Sequence, residues 1–354
     1  MTFDKLIDKN IQRYGDWARY AYHYTDITNA VNIVRQGKIF SRNKVLENGL
    51  MFNENAGTQI VNLNDTAHNY ARLYFRPQTP TQFHNEGYKH SSLRIGKDGG
   101  ANIPMPIFFL FDLKKLMANP NVKFVATGLA GTNPAALEDG EENFGKLPFH
   151  NIYDSGAIYG DADNIRYIVS LRRAEIVIPD ELELEPYLEK IVCRNEIERR
   201  TFLHLLYHDY SCYRISEKIY ESVFSLGNEK NFINMTFSDT ENEMKLFNRN
   251  GFFVDSFEYH QEYGIFTVKF FNAHSKREHY GYMRRYRKID EDSLSLNVTI
   301  RFESSVASRT PKEYVNEVNY FDEYTYVNSV DLTRYSIVKI FVEGRLMCWS
   351  ELKL

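Results

Sequence analysis

The stretch ARYAYHYTDITNAVNIVRQG, residues 18–37, decides the architecture. ARYAYHYT reads as a strand. Asp26 is a good helix N-cap, and Ile27, Ala30, Val31 and Val34 follow at i, i+3, i+4 and i+7. Gly37 sits where a helix C-cap belongs. The unit is strand, tight turn, helix, stop, and KIFS follows as a short strand. A strand running straight into a helix leaves free backbone N–H groups at the corner, which suit an anionic or amide ligand. His23 lies at that corner. It is a ligand-holding candidate or, more plainly, a structural histidine satisfied by its neighbours.

Working outward, residues 4–14 form a short amphipathic helix in this reading. TAHNYARLYFRP (66–77) fits helix or strand and ends at Pro77. IPMPIFFLF (103–111) is a buried strand, Asp112 caps the short helix DLKKLMA, and VKFVAT (122–127) is another strand. Residues 128–163 are Gly-rich and polar, and a loop of that length in a compact domain is usually functional or disordered. After residue 200 ERRTFLHLLYHDYSCYRISEKIYESVF mixes helical spacing with aromatics, and from about 232 the pattern becomes mostly β, with FINMTF, GFFVDSFEYH, GIFTVKFFNA, HYGYMRRYRKI, SLSLNVTIRFES and YSIVKIFVEGRLMCWSEL as antiparallel strand-like runs. The boundary falls near 205–225. The expected division is residues 1–210 and a β-rich unit, 211–354, whose role the sequence does not define.

The 354 residues carry a net charge of −4, which gives no global signature of nucleic-acid binding. Three cysteines, Cys193, Cys212 and Cys348, have no zinc or disulfide spacing and fit a reducing cytoplasm. The N-terminus lacks an apolar signal-like run, and no stretch approaches membrane-spanning length. The expectation is a cytoplasmic protein without a membrane partner. The chain has no P-loop, no well-placed GxGxxG, and no HExxH, GxSxG or paired CxxC, so most nucleotide-hydrolase and zinc-enzyme readings lose ground.

Three further features carry candidate chemistry. Arg76, in YFRPQTP, precedes a rigid proline and can clamp a phosphate or carboxylate, or simply cap a strand end at the surface. Glu175 interrupts the apolar strand AEIVIP. A buried carboxylate is costly unless compensated. It is either a structural ion pair, with Arg172 or Arg173 nearby, or a catalytic group at the base of a cleft. KREHYGYMRRYRK (276–288) interleaves basic residues with tyrosines. It suits phosphate contacts and base stacking, or is a hairpin with one solvated charged face.

Taken in order, YHYTDITNAVNIVRQGKIFS, HNYARLYFRPQTPTQFHNEG, the PIFFLF strand, a long polar loop and RRAEIVIPDELEL resemble the DarT family of DNA ADP-ribosyltransferase toxins. The resemblance covers roughly residues 18–200. It implies an α+β fold: a mixed, split β core with flanking helices and NAD, used as substrate, in the central cleft. It implies transfer of ADP-ribose onto a base of single-stranded DNA, commonly thymine. His23 and Thr25 carry over as the element holding the nicotinamide end. Asn29 and Tyr74 are further candidate NAD contacts, and Glu175 is the catalytic glutamate. The substrate-recognition loop maps to roughly 129–173. Arg166, Arg284 and Arg285 are candidate nucleic-acid contacts. A catalytic arginine found in some relatives has no clear match. Arg72 and Arg76 are the nearest candidates, Arg76 being preferred for its rigid setting, and this leaves guanine open as the acceptor. No metal is implied. A macrodomain-type antitoxin is the expected partner. The alternatives are the same chemistry on RNA or protein, and a non-catalytic nucleic-acid-binding module.

In this reading Glu175 is tolerated because its strand lines a polar cleft. Breaking the nicotinamide–ribose bond builds oxocarbenium character that a carboxylate stabilises. The same group is a candidate general base for the proton on the acceptor nitrogen. A base must leave its stack to enter the site, which favours single strands.

Overall fold

A computed structural model describes residues 1–50, 52–54, 65–93, 102–130, 136–156, 158–207, 224–226, 232, 252–271, 294–306 and 308–352. The N-terminal half is built on one mixed sheet. Its strands are β1 (Tyr20–Asp26), β3 (Tyr70–Tyr74), β4 (Pro106–Asp112), β5 (Lys123–Val125), β6 (Glu175–Pro179), β8 (Leu188–Cys193) and β9 (Phe224–Leu226). Their order across the sheet is β5-β6-β3-β1-β4-β8-β9. Every neighbouring pair is antiparallel except β8 and β9. Two short strands, β2 (Lys38–Phe40) and β7 (Glu181–Glu183), pair separately.

The sheet is joined unevenly, and the site lies at the uneven join. β1 pairs with β4 along its whole length, from Tyr20 opposite Asp112 to Asp26 opposite Pro106. It meets β3 in register only at Tyr22 opposite Tyr74. Beyond that point β1 and β3 part. The expected split of the core takes this form, a separation of two strands that remain neighbours.

Local sequence explains the flanking elements. Asp26 caps the helix Ile27–Gln36 by accepting from Thr28 N, and buries Ile27, Ala30, Val31 and Val34 below it. Gly37 ends that helix in the left-handed region at φ 67°, where its N–H reaches Ile33 and Val34. β4 is buried over six consecutive residues because both its faces are covered, Ile107, Phe109 and Phe111 lying in one apolar cluster and Phe108 and Leu110 in another. The 66–77 stretch resolves into a short 3-10 turn and then strand β3.

The expected long loop at 128–163 is different in the structure. Helices Gly140–Lys146 and Phe149–Tyr153 fold within it, and Ala162–Leu171 follows. Glycines and carboxylates dominate its composition, but Phe144 is fully buried and meets the rings of Phe3, Phe75, Phe124 and Phe149. A few well-placed aromatics outweigh a polar average, because each buries a large apolar area.

Among the described residues the C-terminal part is mostly β, while the expected run at 233–237 and the basic stretch with its run at 276–289 lie outside the described residues. β10 (Phe253–His260), β11 (Ile265–Phe271) and β14 (Tyr324–Val327) form one sheet. β13 (Lys312–Asn319), β12 (Ser295–Glu303), β15 (Ile337–Val342) and β16 (Arg345–Glu351) form another, in that order. In β12, Leu296, Val298, Ile300 and Phe302 all point inward. One apolar cluster runs from Ile7 and Phe109 through Phe252 to Ile300 and Ile340, so these sheets pack onto the N-terminal half. The Tyr320 hydroxyl donates to Tyr88 O at 3.0 Å, and Trp349 N donates to Thr201 Oγ1 at 2.9 Å. No described helix is long and apolar enough to cross a membrane.

Candidate active site

Where β1 and β3 part, a cavity of about 290 Å³ opens, and His23, Thr25, Asn29, Arg72 and Tyr74 lie among its lining residues. Strand periodicity places them. Tyr70, Arg72 and Tyr74 all reach the cavity, while Ala71 and Leu73 between them are buried in the core. Glu175 faces Tyr74 across β6 and β3, and Arg72 faces Val177. Arg72 and Glu175 are therefore diagonal neighbours on one face, within reach of a long side chain.

They meet. Arg72 Nε donates to Glu175 Oε2 at 2.8 Å, and the terminal nitrogen donates to Oε1 at 2.5 Å. Leu129 N also donates to Oε2, at 3.4 Å. Glu175 is 1% exposed and Arg72 31% exposed, so the guanidinium stands between the carboxylate and the cavity. Burial by itself pushes the Arg72 pKa down, but the charge and hydrogen bonds of Glu175 outweigh it and hold the pKa above its usual value. A carboxylate gripped this way is compensated in its strand. Its partner is Arg72 rather than the neighbouring arginines. Arg172 instead binds Asp154 and the Gly156 carbonyl.

His23 bridges the gap between the strands. Its Nδ1 lies 3.0 Å from the Arg72 carbonyl oxygen. A carbonyl only accepts, so Nδ1 carries the proton and Nε2 is left as an acceptor. Burial pushes the His23 pKa down to about 4, and the ring is neutral at pH 7. Tyr74 stays protonated, since burial and then the Glu175 charge raise its pKa.

A polar network shapes the other wall. Asn29 Nδ2 donates to Thr25 Oγ1 at 3.2 Å and to Asn53 O at 2.8 Å. Asn53 N returns a bond to Asn29 Oδ1 at 2.7 Å, and Asn53 Nδ2 donates to Asp26 and Thr28. Asn53 thus ties the 52–54 segment to the cap of the helix. Sequence reading missed it, because NENAG carries no periodic signal. Arg42, Phe52 and Glu54 line the same region.

Arg76 is a correction. It is 2% exposed and does not line the cavity. Its guanidinium donates to the carbonyls of Pro77, Ile152 and Asp154 and lies 4.7 Å over the Trp17 ring. Rigidity before Pro77 was the signal for it, but that rigidity fixes a packing arginine. β3 ends at Tyr74, and the chain then turns toward helix Phe149–Tyr153. Arg166 is surface-exposed on helix Ala162–Leu171 and pairs with Asp163. Arg284 and Arg285 lie outside the described residues. No group of described residues has the arrangement of a metal site.

A neutral histidine, an arginine–glutamate pair and tyrosines thus gather around one cleft of the mixed sheet. The family model described as "ssDNA thymidine ADP-ribosyltransferase, DarT" matches residues 22–224, more than half of the chain. The chain belongs to the DarT family. Solved structures similar to it include Thermus sp. 2.9 DarT in complex with carba-NAD+, with 14% identity, 60% of this chain and 97% of that one covered, and a TM-score of 0.43. Thermus sp. 2.9 DarT in complex with ADP-ribosylated ssDNA gives 16% identity, coverage of 54% and 88%, and 0.38. Thermosipho africanus DarTG in complex with ADP-ribose gives 15%, coverage of 53% and 47%, and 0.37. No curated protein matches the chain.

Proposed function

We propose that this protein uses NAD to place ADP-ribose on a base of single-stranded DNA, thymine being the acceptor favoured by the family description. The observation that carries the reading is the buried Glu175 carboxylate held by Arg72 beside the cavity that His23 and Thr25 line. NAD supplies an activated ribose: the nicotinamide–ribose bond breaks, its electron pair leaves with nicotinamide, and the ribose carbon bonds to the base nitrogen.

The side chains divide this work. His23, neutral and with Nε2 as acceptor, and Thr25 hold the nicotinamide end. Asn29 and Tyr74 complete the walls of that end. Glu175 offsets positive charge on the ribose. Arg72 shields the carboxylate and, as the more exposed partner, is the one that turns to admit the ribose. Arg72 bonds both oxygens of Glu175 beside the cavity, and in this reading the pair has that electrostatic role. The proton displaced from the acceptor nitrogen then passes to water.

Residues 1–210 form the catalytic unit in this reading, with 211–354 as a β-rich unit against it. Arg166, Arg284 and Arg285 remain candidate DNA contacts. A DNA-modifying activity of this kind acts in the cytoplasm, as a toxin or anti-phage effector, with a macrodomain-type antitoxin that removes the modification. The test is mass spectrometry of separate single-stranded oligonucleotides, each presenting one base, after incubation with NAD. A gain of one ADP-ribose on the thymine oligonucleotide is expected. A gain on guanine alone reassigns the acceptor. NAD consumption without a DNA adduct favours RNA or protein. No NAD consumption favours a non-catalytic binding module.

A further inference from the structure

Among the described residues three cations line the cavity: Lys38, Arg42 and Arg72. Two are neutralised by carboxylates that do not line it. Lys38 Nζ lies 2.6 Å from Glu181 and 2.8 Å from Glu183, both on β7, and Arg72 holds Glu175. Arg42 differs. It is paired with Glu54, the one carboxylate among the described lining residues.

The Arg42–Glu54 pair is open to water, with side chains 29% and 37% exposed. A pair this accessible to water is weak, so a stronger anion displaces it readily. Arg42 has independent support. Its guanidinium lies 5.2 Å over the Phe52 ring, and its backbone opens the helix Arg42–Glu47, whose cap is Ser41. It keeps its place when Glu54 lets go. A guanidinium fork also matches the oxygens of a phosphate better than a point charge does.

We propose that Arg42 binds the diphosphate of the nucleotide and that Glu54 is a built-in competitor which the diphosphate displaces. The inference rests on the NAD reading above and adds a residue that sets nucleotide affinity. Glu54 acts twice against an incoming diphosphate, by repelling it and by occupying its cation. Removing that charge while keeping the side chain's shape should tighten nucleotide binding.

The experiment is calorimetric titration of the full chain with NAD and, separately, with inorganic pyrophosphate. Glu54→Gln is expected to bind both about fivefold more tightly, and Arg42→Gln about tenfold more weakly. In the Arg42→Gln background, adding Glu54→Gln should bring little gain, because there is no cation left to release. Should Arg42→Gln fail to fold, Arg42→Lys keeps the charge and loses the fork, and it should weaken pyrophosphate binding severalfold. Unchanged or weaker binding in a folded Glu54→Gln protein overturns the inference. So does an arginine variant that binds pyrophosphate as the wild type does. A wild-type protein that binds pyrophosphate but not NAD contradicts the functional reading while leaving Arg42 and Glu54 tested on the simpler anion.

Discussion

The Arg72 guanidinium grips both oxygens of Glu175, at 2.8 and 2.5 Å, while the carbonyl of the same arginine receives His23 Nδ1. One residue of β3 thus fixes the carboxylate on β6 and the imidazole on β1. It does so where β1 and β3 stop pairing, so the interactions that hold the cleft open also orient its chemistry.

Arg72 and Arg76 should therefore behave differently when replaced. Arg72→Met is expected to cut transfer by about a hundredfold, because Glu175 loses the two hydrogen bonds that orient its carboxylate at the cleft. Arg76→Met strands two buried carbonyl groups and a part-buried one and should cost about 3 kcal/mol of stability. The folded fraction of that variant should retain its activity. Thermal melting together with activity per folded molecule separates the two.

The His23 ring predicts a pH dependence. Its pKa is near 4 in the fold and about 6.5 in an unfolded chain. Between those values the unfolded state binds more protons, so His23 lowers stability as pH falls from about 6.5 toward 4. Above that window its contribution is complete and constant. His23→Gln should flatten this part of a stability–pH curve. An NMR titration of the wild type should show the imidazole neutral at pH 6.

Asn53 is a structural hinge pin of the binding wall. Asn53→Ala removes its bonds to Asp26 and Thr28 and should weaken NAD binding about fivefold, the loss expected for roughly one net hydrogen bond. Direct titration with NAD checks this. Affinity equal to the wild type would show that the 52–54 segment holds its position without the side chain.

Arg194 and Glu198 form a fully buried pair near the contact between the two halves, with the Arg194 guanidinium 3.7 Å over the Phe253 ring. Burial pushes the Glu198 pKa up to about 7 despite the arginine beside it. Arg194→Met should cost about 3–5 kcal/mol, since it leaves Glu198 alone in the interior. Pairing it with Glu198→Leu should recover much of that loss. Chemical denaturation of the two single variants and the double variant measures the coupling.

Much of this was legible before the structure. Asp26, the i, i+3, i+4, i+7 spacing and Gly37 gave the strand–helix unit because capping and periodicity are local. Glu175 was visible as a charge that did not belong in an apolar strand. Its partner was not, because Arg72 meets it only through a cross-strand diagonal set by register. The alternation in YARLY held the clue: Arg72 shares a face with Tyr70 and Tyr74. Arg76 misled because a proline signals rigidity without direction. The helices within 140–153 were hidden by their polar composition, and the Asn53 network joins segments that have no shared periodicity.

The most direct test compares wild type with Glu175→Gln, measuring NAD binding by calorimetry and adduct formation on a thymine-containing single strand by mass spectrometry. Glutamine keeps the shape and a hydrogen bond to Arg72 but removes the charge. The prediction is that NAD still binds while adduct formation falls by about 10²–10³. Adduct formation at the wild-type rate in Glu175→Gln would contradict the role given to this carboxylate.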